Sequence, residues 1–168
     1  MISTTVIGAY PKPDYVPISD WFSADYSDGT LDYTSSYEEQ VGAVPDAEER
    51  FRRATAEVIA DQIDAGIDVV TDGEVRRENY VHHQCRSLSG VDFEELGSHR
   101  MRGAIETRLP RIVGPVRFTG SSLAADFATA QSVSRRPVKV TVPGPMTIID
   151  STVDIHYGDE RGLGADLA

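Results

Sequence analysis

The most constraining feature of this 168-residue chain is a single amphipathic stripe. Phe51, Ala54, Val58, Ile59 and Ile63 recur at the spacing of one face of a 3.6-residue helix. Pro45-Asp46-Ala47-Glu48-Glu49 sits at its start, where proline and acidic side chains suit a first helical turn, and Gly66 stands where it can end it. Ile67-Asp68-Val69-Val70-Thr71 then reads as a short strand closed by Asp72-Gly73-Glu74. A helix buried along one stripe and followed at once by a strand needs a sheet beneath it, and strand, long helix, strand is the parallel crossover pattern.

Two further units follow the same plan. Upstream, Thr4 to Ala9 is rich in β-formers and leaves its strand through Gly8-Ala9-Tyr10-Pro11. Downstream, Ser121 or Ser122 can cap a helix through Leu123, Phe127 and Ala130, followed by the strand Val138-Lys139-Val140-Thr141-Val142 and the turn Pro143-Gly144-Pro145. From Lys12 to Val44 the chain lacks sustained periodicity, with short helices expected at Val16 to Phe22 and Tyr37 to Val41. A helix is expected from about Glu78 to Leu88, and a hairpin-like insertion or a strand with a long approach between Gly90 and Gly120. After Met146 to Ser151, Gly158-Asp159-Glu160-Arg161 begins another helix.

The expected fold class is α/β: a partial (β/α)8 TIM barrel made of its first three or so strand-helix units. A closed barrel normally needs about 250 residues. Residues 1–168 are therefore expected to form a single incomplete barrel domain that stops inside a helix.

Composition narrows the function. Sixteen basic against 27 acidic residues give a formal charge of -11, which disfavours phosphate backbones and anionic membrane surfaces as partners. No nucleic-acid partner is expected. No apolar run approaches the roughly 20 residues of a membrane span, and the N-terminus lacks a signal-peptide pattern, so a cytoplasmic protein is expected. Cys85 is the one cysteine, which rules out an internal disulfide and a multi-thiolate metal site.

Glu74 is the first candidate functional residue. A strand's C-terminal end is where parallel α/β folds collect ligands, and Gly73 lets the backbone turn sharply there. Its carboxylate can hold an ammonium group, act as a base, or pair with Arg76 or Arg77. Gly8, Ala9 and Pro143-Gly144-Pro145 bring backbone groups to the same kind of position. His83-Gln84-Cys85 has a zinc-like pattern, but side chains two apart point about 200° apart on a helix, so no native metal site is expected there. Trp21, Tyr10, Tyr80 and Tyr157 can stack on a planar ligand or serve the core.

Four stretches in order resemble the C-terminal catalytic barrel of the cobalamin-independent methionine synthase family. They are Thr5 to Pro11, Asp72-Gly73-Glu74 with Arg77 to Val81, Pro110 to Gly114, and Pro137 to Ile148. The resemblance implies zinc-dependent transfer of a methyl group, from methyltetrahydrofolate or another donor, to the thiol of homocysteine. It places Ile7, Gly8 and Ala9 against that substrate and Glu74 on its amino group. Ala9 stands where the family commonly carries serine, and Asp150-Ser151 where it tends to carry tryptophan. The family's zinc ligands come from later strands, so this chain alone is expected to hold no zinc and to have little or no activity. Alkyl transfer to another thiol, or a uroporphyrinogen decarboxylase-like barrel enzyme, are the alternatives within enzymes. A non-catalytic partial barrel that associates with itself or a partner chain is the alternative from another class.

Overall fold

The computed structural model describes residues 2–20, 34–101, 105–120 and 123–168. In chain order it contains α1 (Tyr37–Gly42), α2 (Ala47–Asp64), β1 (Val70–Thr71), α3 (Tyr80–Cys85), β2 (Leu88–Met101), β3 (Ile105–Phe118), α4 (Leu123–Val133), β4 (Val138–Lys139), α5 (Pro145–Asp150), β5 (Val153–Asp154) and α6 (Glu160–Leu167). The chain divides into two compact units. The first takes its described residues from 2–20, 39–78 and 123–141, the second from 34–38, 79–101, 105–120 and 142–168. Among the described residues, no helix is long and apolar enough to cross a membrane.

In the first unit the stripe of α2 does what its period predicts. Phe51, Ala54, Val58 and Ile59 are buried, and Ile59 meets Val70 of β1 and Ala130 of α4, with Ile63, Ile67, Val133 and Val138 packed around them. The opposite face carries the ion pairs Asp46–Arg50, Glu49–Arg52 and Arg53–Glu57, at helical spacings of three and four. Such exposed pairs contribute only about 0.2–0.5 kcal/mol each. Gly66 ends the segment with φ at 84°, a conformation open to glycine because it has no Cβ, and its amide donates to the Ile63 carbonyl at 2.9 Å.

β1 and β4 pair in parallel, Val70 with Val138 and Thr71 with Lys139, and a single parallel bridge joins Thr5 to Val69. These parallel segments are shorter than the sequence suggests. Thr4 and Thr5 are exposed, so the expected buried first strand is reduced to one bridge, paired on one side among the described residues. The expected strand at 138–142 is regular over two residues only.

One buried polar residue completes the sheet. Gln62, on α2 and fully buried, donates from Nε2 to the Thr71 carbonyl at 3.0 Å and accepts from the Thr71 amide at 2.9 Å. Its side-chain amide thus acts as a strand neighbour for the last residue of β1.

In the second unit, β2 and β3 form the antiparallel hairpin anticipated between Gly90 and Gly120, and β5 adds in parallel to β3 through Arg111–Val153 and Ile112–Asp154. The pairing shifts register between Ser89 and Val91, and again between Asp92 and Gly97, where β2 advances five residues while β3 advances two, from Arg111 to Leu109. Asp92 and Glu95 in that irregularity both accept from Arg111 Nη2, at 2.6 and 2.5 Å. Ile112, Val116 and Leu163 form one apolar cluster, and Val81, Cys85 and Ile148 another.

The expected helix from Glu78 to Leu88 is shorter, because Asn79 caps it. The Asn79 side chain accepts from the amides of Val81 and His82, fixing the start of α3 at Tyr80. The helix expected at Val16 to Phe22 is a bend over Val16–Ile18, which buries both residues, while Trp21 and Phe22 lie outside the described residues. Ser121 and Ser122, the expected caps of α4, also lie outside them. Among the described residues the strands make two open sheets, of two and three strands, and no closed barrel.

Candidate functional site

The first unit places Gly8, Glu74 and Thr141 at the C-terminal ends of its three parallel segments, a few residues beyond Thr5, β1 and β4. Open parallel sheets bind ligands at such ends. Backbone and hydroxyl bonds lock the first two loops together. Thr71 Oγ1 donates to the Gly8 carbonyl at 2.8 Å, and the Tyr10 amide donates to the Gly73 carbonyl at 2.9 Å.

The turn after β1 is strained. Gly73 has φ at 67° and Glu74 has φ at 54°, the one described non-glycine residue with positive φ. A side chain held in that region costs of order 1–3 kcal/mol and persists where surrounding contacts impose it. Here the contacts are visible. A Cβ on Gly73 would meet Val58 Cγ1 at 2.5 Å, so helix α2 presses on the turn. The Glu74 amide donates to Asp72 Oδ1 at 3.2 Å.

Asp72, Glu74 and Arg77 are all buried. Arg77 Nη2 binds Asp72 Oδ2 at 2.7 Å, and Arg77 Nη1 donates to Thr141 Oγ1 at 3.2 Å and lies 3.6 Å from Glu74 Oε1. The Thr141 hydroxyl in turn donates to Glu74 Oε1. Oε1 is therefore tied down, and it lies against Gly8 so closely that a Cβ there would collide with it. Oε2 accepts no hydrogen bond among the described residues and is not sealed from solvent. The result is a carboxylate fixed through one oxygen and open at the other.

Of the two arginines that follow Glu74, Arg76 is committed to another place. It binds Glu48 at 2.7 Å and Asp126 at 3.4 Å, above the Phe51 ring. Lys12, which leaves the Gly8 loop between two prolines, is buried to 9% exposure. Burial pushes its ammonium below the usual lysine value, while Asp20, Glu74 and Glu78 pull it back up.

The other sequence candidates fall as follows. Ala9 is half-buried, and Ile7 is 91% exposed, so contact with a ligand held by Glu74 would come from the Ile7 backbone. Pro143-Gly144-Pro145 belongs to the second unit, where Gly144 precedes α5 and Pro145 opens it. Tyr157 is engaged within that unit, accepting from the Val116 amide and donating to Asp166. Trp21 lies outside the described residues. Sequence reasoning missed Lys12 and Thr141 as neighbours of Glu74. The available signals were a lysine set between prolines just beyond a strand exit, and a threonine at the end of the third strand.

Zinc does not fit the described residues. His83 and Cys85 both lie on α3, where Cys85 is sealed among Val81 and Ile148, and the His83 ring stands edge-on to Tyr37. No group of three His, Cys, Asp or Glu side chains among the described residues converges for a metal.

The family described as "Cobalamin-independent synthase, Catalytic domain" matches residues 2–156. The chain belongs to the cobalamin-independent methionine synthase family. A methionine synthase of Sulfolobus acidocaldarius is 33% identical over 169 residues, spanning 100% of this chain and 45% of the relative. One of Saccharolobus solfataricus is 31% identical, over 100% and 46%. The chain thus spans about half the length of the methionine synthases it matches. Among solved structures, a B12-independent methionine synthase from Shewanella sp. W3-18-1, in complex with selenomethionine, aligns with a TM-score of 0.77 at 29% identity, covering 97% of this chain and 44% of that one. As a member of the methionine synthase family, this chain keeps the α/β architecture of the catalytic domain.

Proposed function

We propose that this chain supplies the amino-acid-binding part of a homocysteine methyltransferase, built from the first strand-helix units of a (β/α)8 barrel. Glu74 takes the substrate ammonium through Oε2, and the Ile7–Ala9 backbone lies beside it. The observation that carries this reading is the buried Glu74 carboxylate, fixed at Oε1 by Thr141 and open at Oε2. The selenomethionine bound by the Shewanella relative supports an amino acid as ligand. Family membership favours thiol alkylation over the decarboxylase alternative. The methyl donor, methyltetrahydrofolate or another, and the zinc implied by the resemblance act through residues other than those described, so the step these residues support is recognition.

Glu74→Gln keeps the side-chain shape and removes the charge. Losing one charge-assisted hydrogen bond typically costs about 1.5–3 kcal/mol, or roughly 10-fold to 150-fold in affinity. Calorimetric titration of L-methionine into the wild-type chain and Glu74→Gln measures this. Equal affinity would reduce Glu74 to an ion-pair neighbour of Arg77.

A second reading rests on Ile2 and Ile7, which are 92% and 91% exposed on the segment that pairs only through Thr5 among the described residues. Exposed isoleucines beside unpaired backbone favour association with a second copy or a partner chain. Ile2→Lys together with Ile7→Lys is expected to shift the sedimentation profile of the chain toward monomer. A wild-type profile that is already monomeric at high concentration removes this reading.

A further inference from the structure

Thr141 ends the third parallel segment, two residues beyond β4, and the Thr71–Lys139 register carried two residues further brings it level with Gly73. One guanidinium grips it twice. Arg77 Nη1 donates to its hydroxyl oxygen at 3.2 Å and to its carbonyl oxygen at 3.4 Å. Arg77 is itself buried, and Asp72 clamps its other terminal nitrogen at 2.7 Å. A guanidinium can only donate, so the Thr141 hydroxyl accepts from it and gives its own single proton to Glu74 Oε1. Arg77 Nη1 stands 3.6 Å from Oε1, beyond ordinary hydrogen-bond length, which makes Thr141 the direct donor to that oxygen among the described residues. Gly8 leaves the space for this contact, since a Cβ there would collide with Oε1 and lie 3.1 Å from Thr141 Cγ2.

We propose that Thr141 is the positioning residue of Glu74: its hydroxyl, aimed by Arg77, holds Oε1 as an acceptor and thereby turns Oε2 toward the ligand. This role rests on the one proposed above for Glu74 and adds that the preference for a charged amine is set from the third strand end, by a side chain acting through Glu74. Threonine suits the task because its branched Cβ restricts χ1, so the hydroxyl has little freedom to turn elsewhere. A donor with one fixed destination also discriminates between the groups it can hold. For glutamate it leaves a second anionic oxygen facing outward. For glutamine at the same position it pins the one carbonyl oxygen and turns the amide nitrogen toward the ligand ammonium, donor against donor.

The test is a double-mutant cycle on the 168-residue chain, with L-methionine affinity measured by calorimetry for Thr141→Val, Glu74→Gln and the double variant. Thr141→Val keeps the branched shape and removes the hydroxyl. Its affinity is expected to fall by about 2-fold to 10-fold, the effect of one hydrogen bond, while Thr141→Ser stays within about 2-fold of wild type. In the Glu74→Gln background the effect should vanish or change sign, because removing the hydroxyl frees the amide to flip, so the double variant binds as well as Glu74→Gln or better. Equal proportional losses in both backgrounds would mean that Thr141 acts independently of Glu74, and overturn the assignment. Unchanged affinity in Thr141→Val, or no rescue by serine, overturns it too, and a Thr141→Val chain that shows no folded circular dichroism spectrum makes the hydroxyl structural with the same result. All of these leave Glu74 in its role as long as Glu74→Gln alone weakens binding. If Glu74→Gln binds like wild type, or wild type binds no L-methionine, the reading of Glu74 ends and that of Thr141 falls with it.

Discussion

Replacing Arg77 with methionine is expected to destabilise the chain by about 3–5 kcal/mol, the usual result of removing one partner from a buried ion pair. Arg77 and Asp72 are 1% and 5% exposed at their side chains and are joined at 2.7 Å, so the variant strands a carboxylate that water cannot reach freely. The loss goes beyond one pair, because Arg77 also donates to the hydroxyl and carbonyl oxygens of Thr141. Urea unfolding followed by circular dichroism measures the change. The double variant Asp72→Asn, Arg77→Met separates the stranded charge from the packing, and should recover part of the loss. A single variant within 1 kcal/mol of wild type, on the scale of a surface pair, would show that Asp72 finds solvent or another donor.

A comparable effect is expected at Gln62. Gln62→Leu preserves much of the volume and removes both bonds to Thr71, leaving a buried amide and a buried carbonyl without partners. Each orphaned group costs about 1–3 kcal/mol, so a loss of roughly 2–6 kcal/mol is expected. The local signature is sharper than the global one: the Thr71 amide should lose its protection against hydrogen exchange. Retained protection would mean that another acceptor replaces the glutamine.

These residues show which parts of the molecule a sequence exposes. Helix α2 was legible because burial repeats along it at a fixed period and Gly66 ends it, and β1 followed because a short β-branched run leads straight into a glycine turn. Glu74 and Gly8 were legible from their place at strand ends. Gln62 was not, because a single polar residue on the face of a helix carries no sign of the backbone group it will meet nine positions later. Asn79 moved the start of α3 through a side-chain bond that competes with helix continuation. Lys12 escaped notice for a related reason: its burial depends on how the stretch from Tyr10 to Asp20 folds back, and that stretch has no period to read. The parallel segments were overestimated because β-propensity reports a residue's fitness for a sheet and not the presence of a neighbour on each side.

The offset of pairing in the long hairpin bears on how this chain behaves at high concentration. β2 has β3 on one side and, among the described residues, lies at the edge of its sheet. A straight edge of 14 residues would offer a row of free amides and carbonyls to any other extended chain, the usual beginning of aggregation. Between Asp92 and Gly97 the extra residues break that row, and Asp92, Glu94 and Glu95 surround the break with negative charge, held in shape by Arg111. An incoming strand can match the rim before the break or after it, but not both in one register. The irregularity that spoils the symmetry of the hairpin therefore works against edge-to-edge pairing, with Arg111 holding Asp92 and Glu95 in place beside the break.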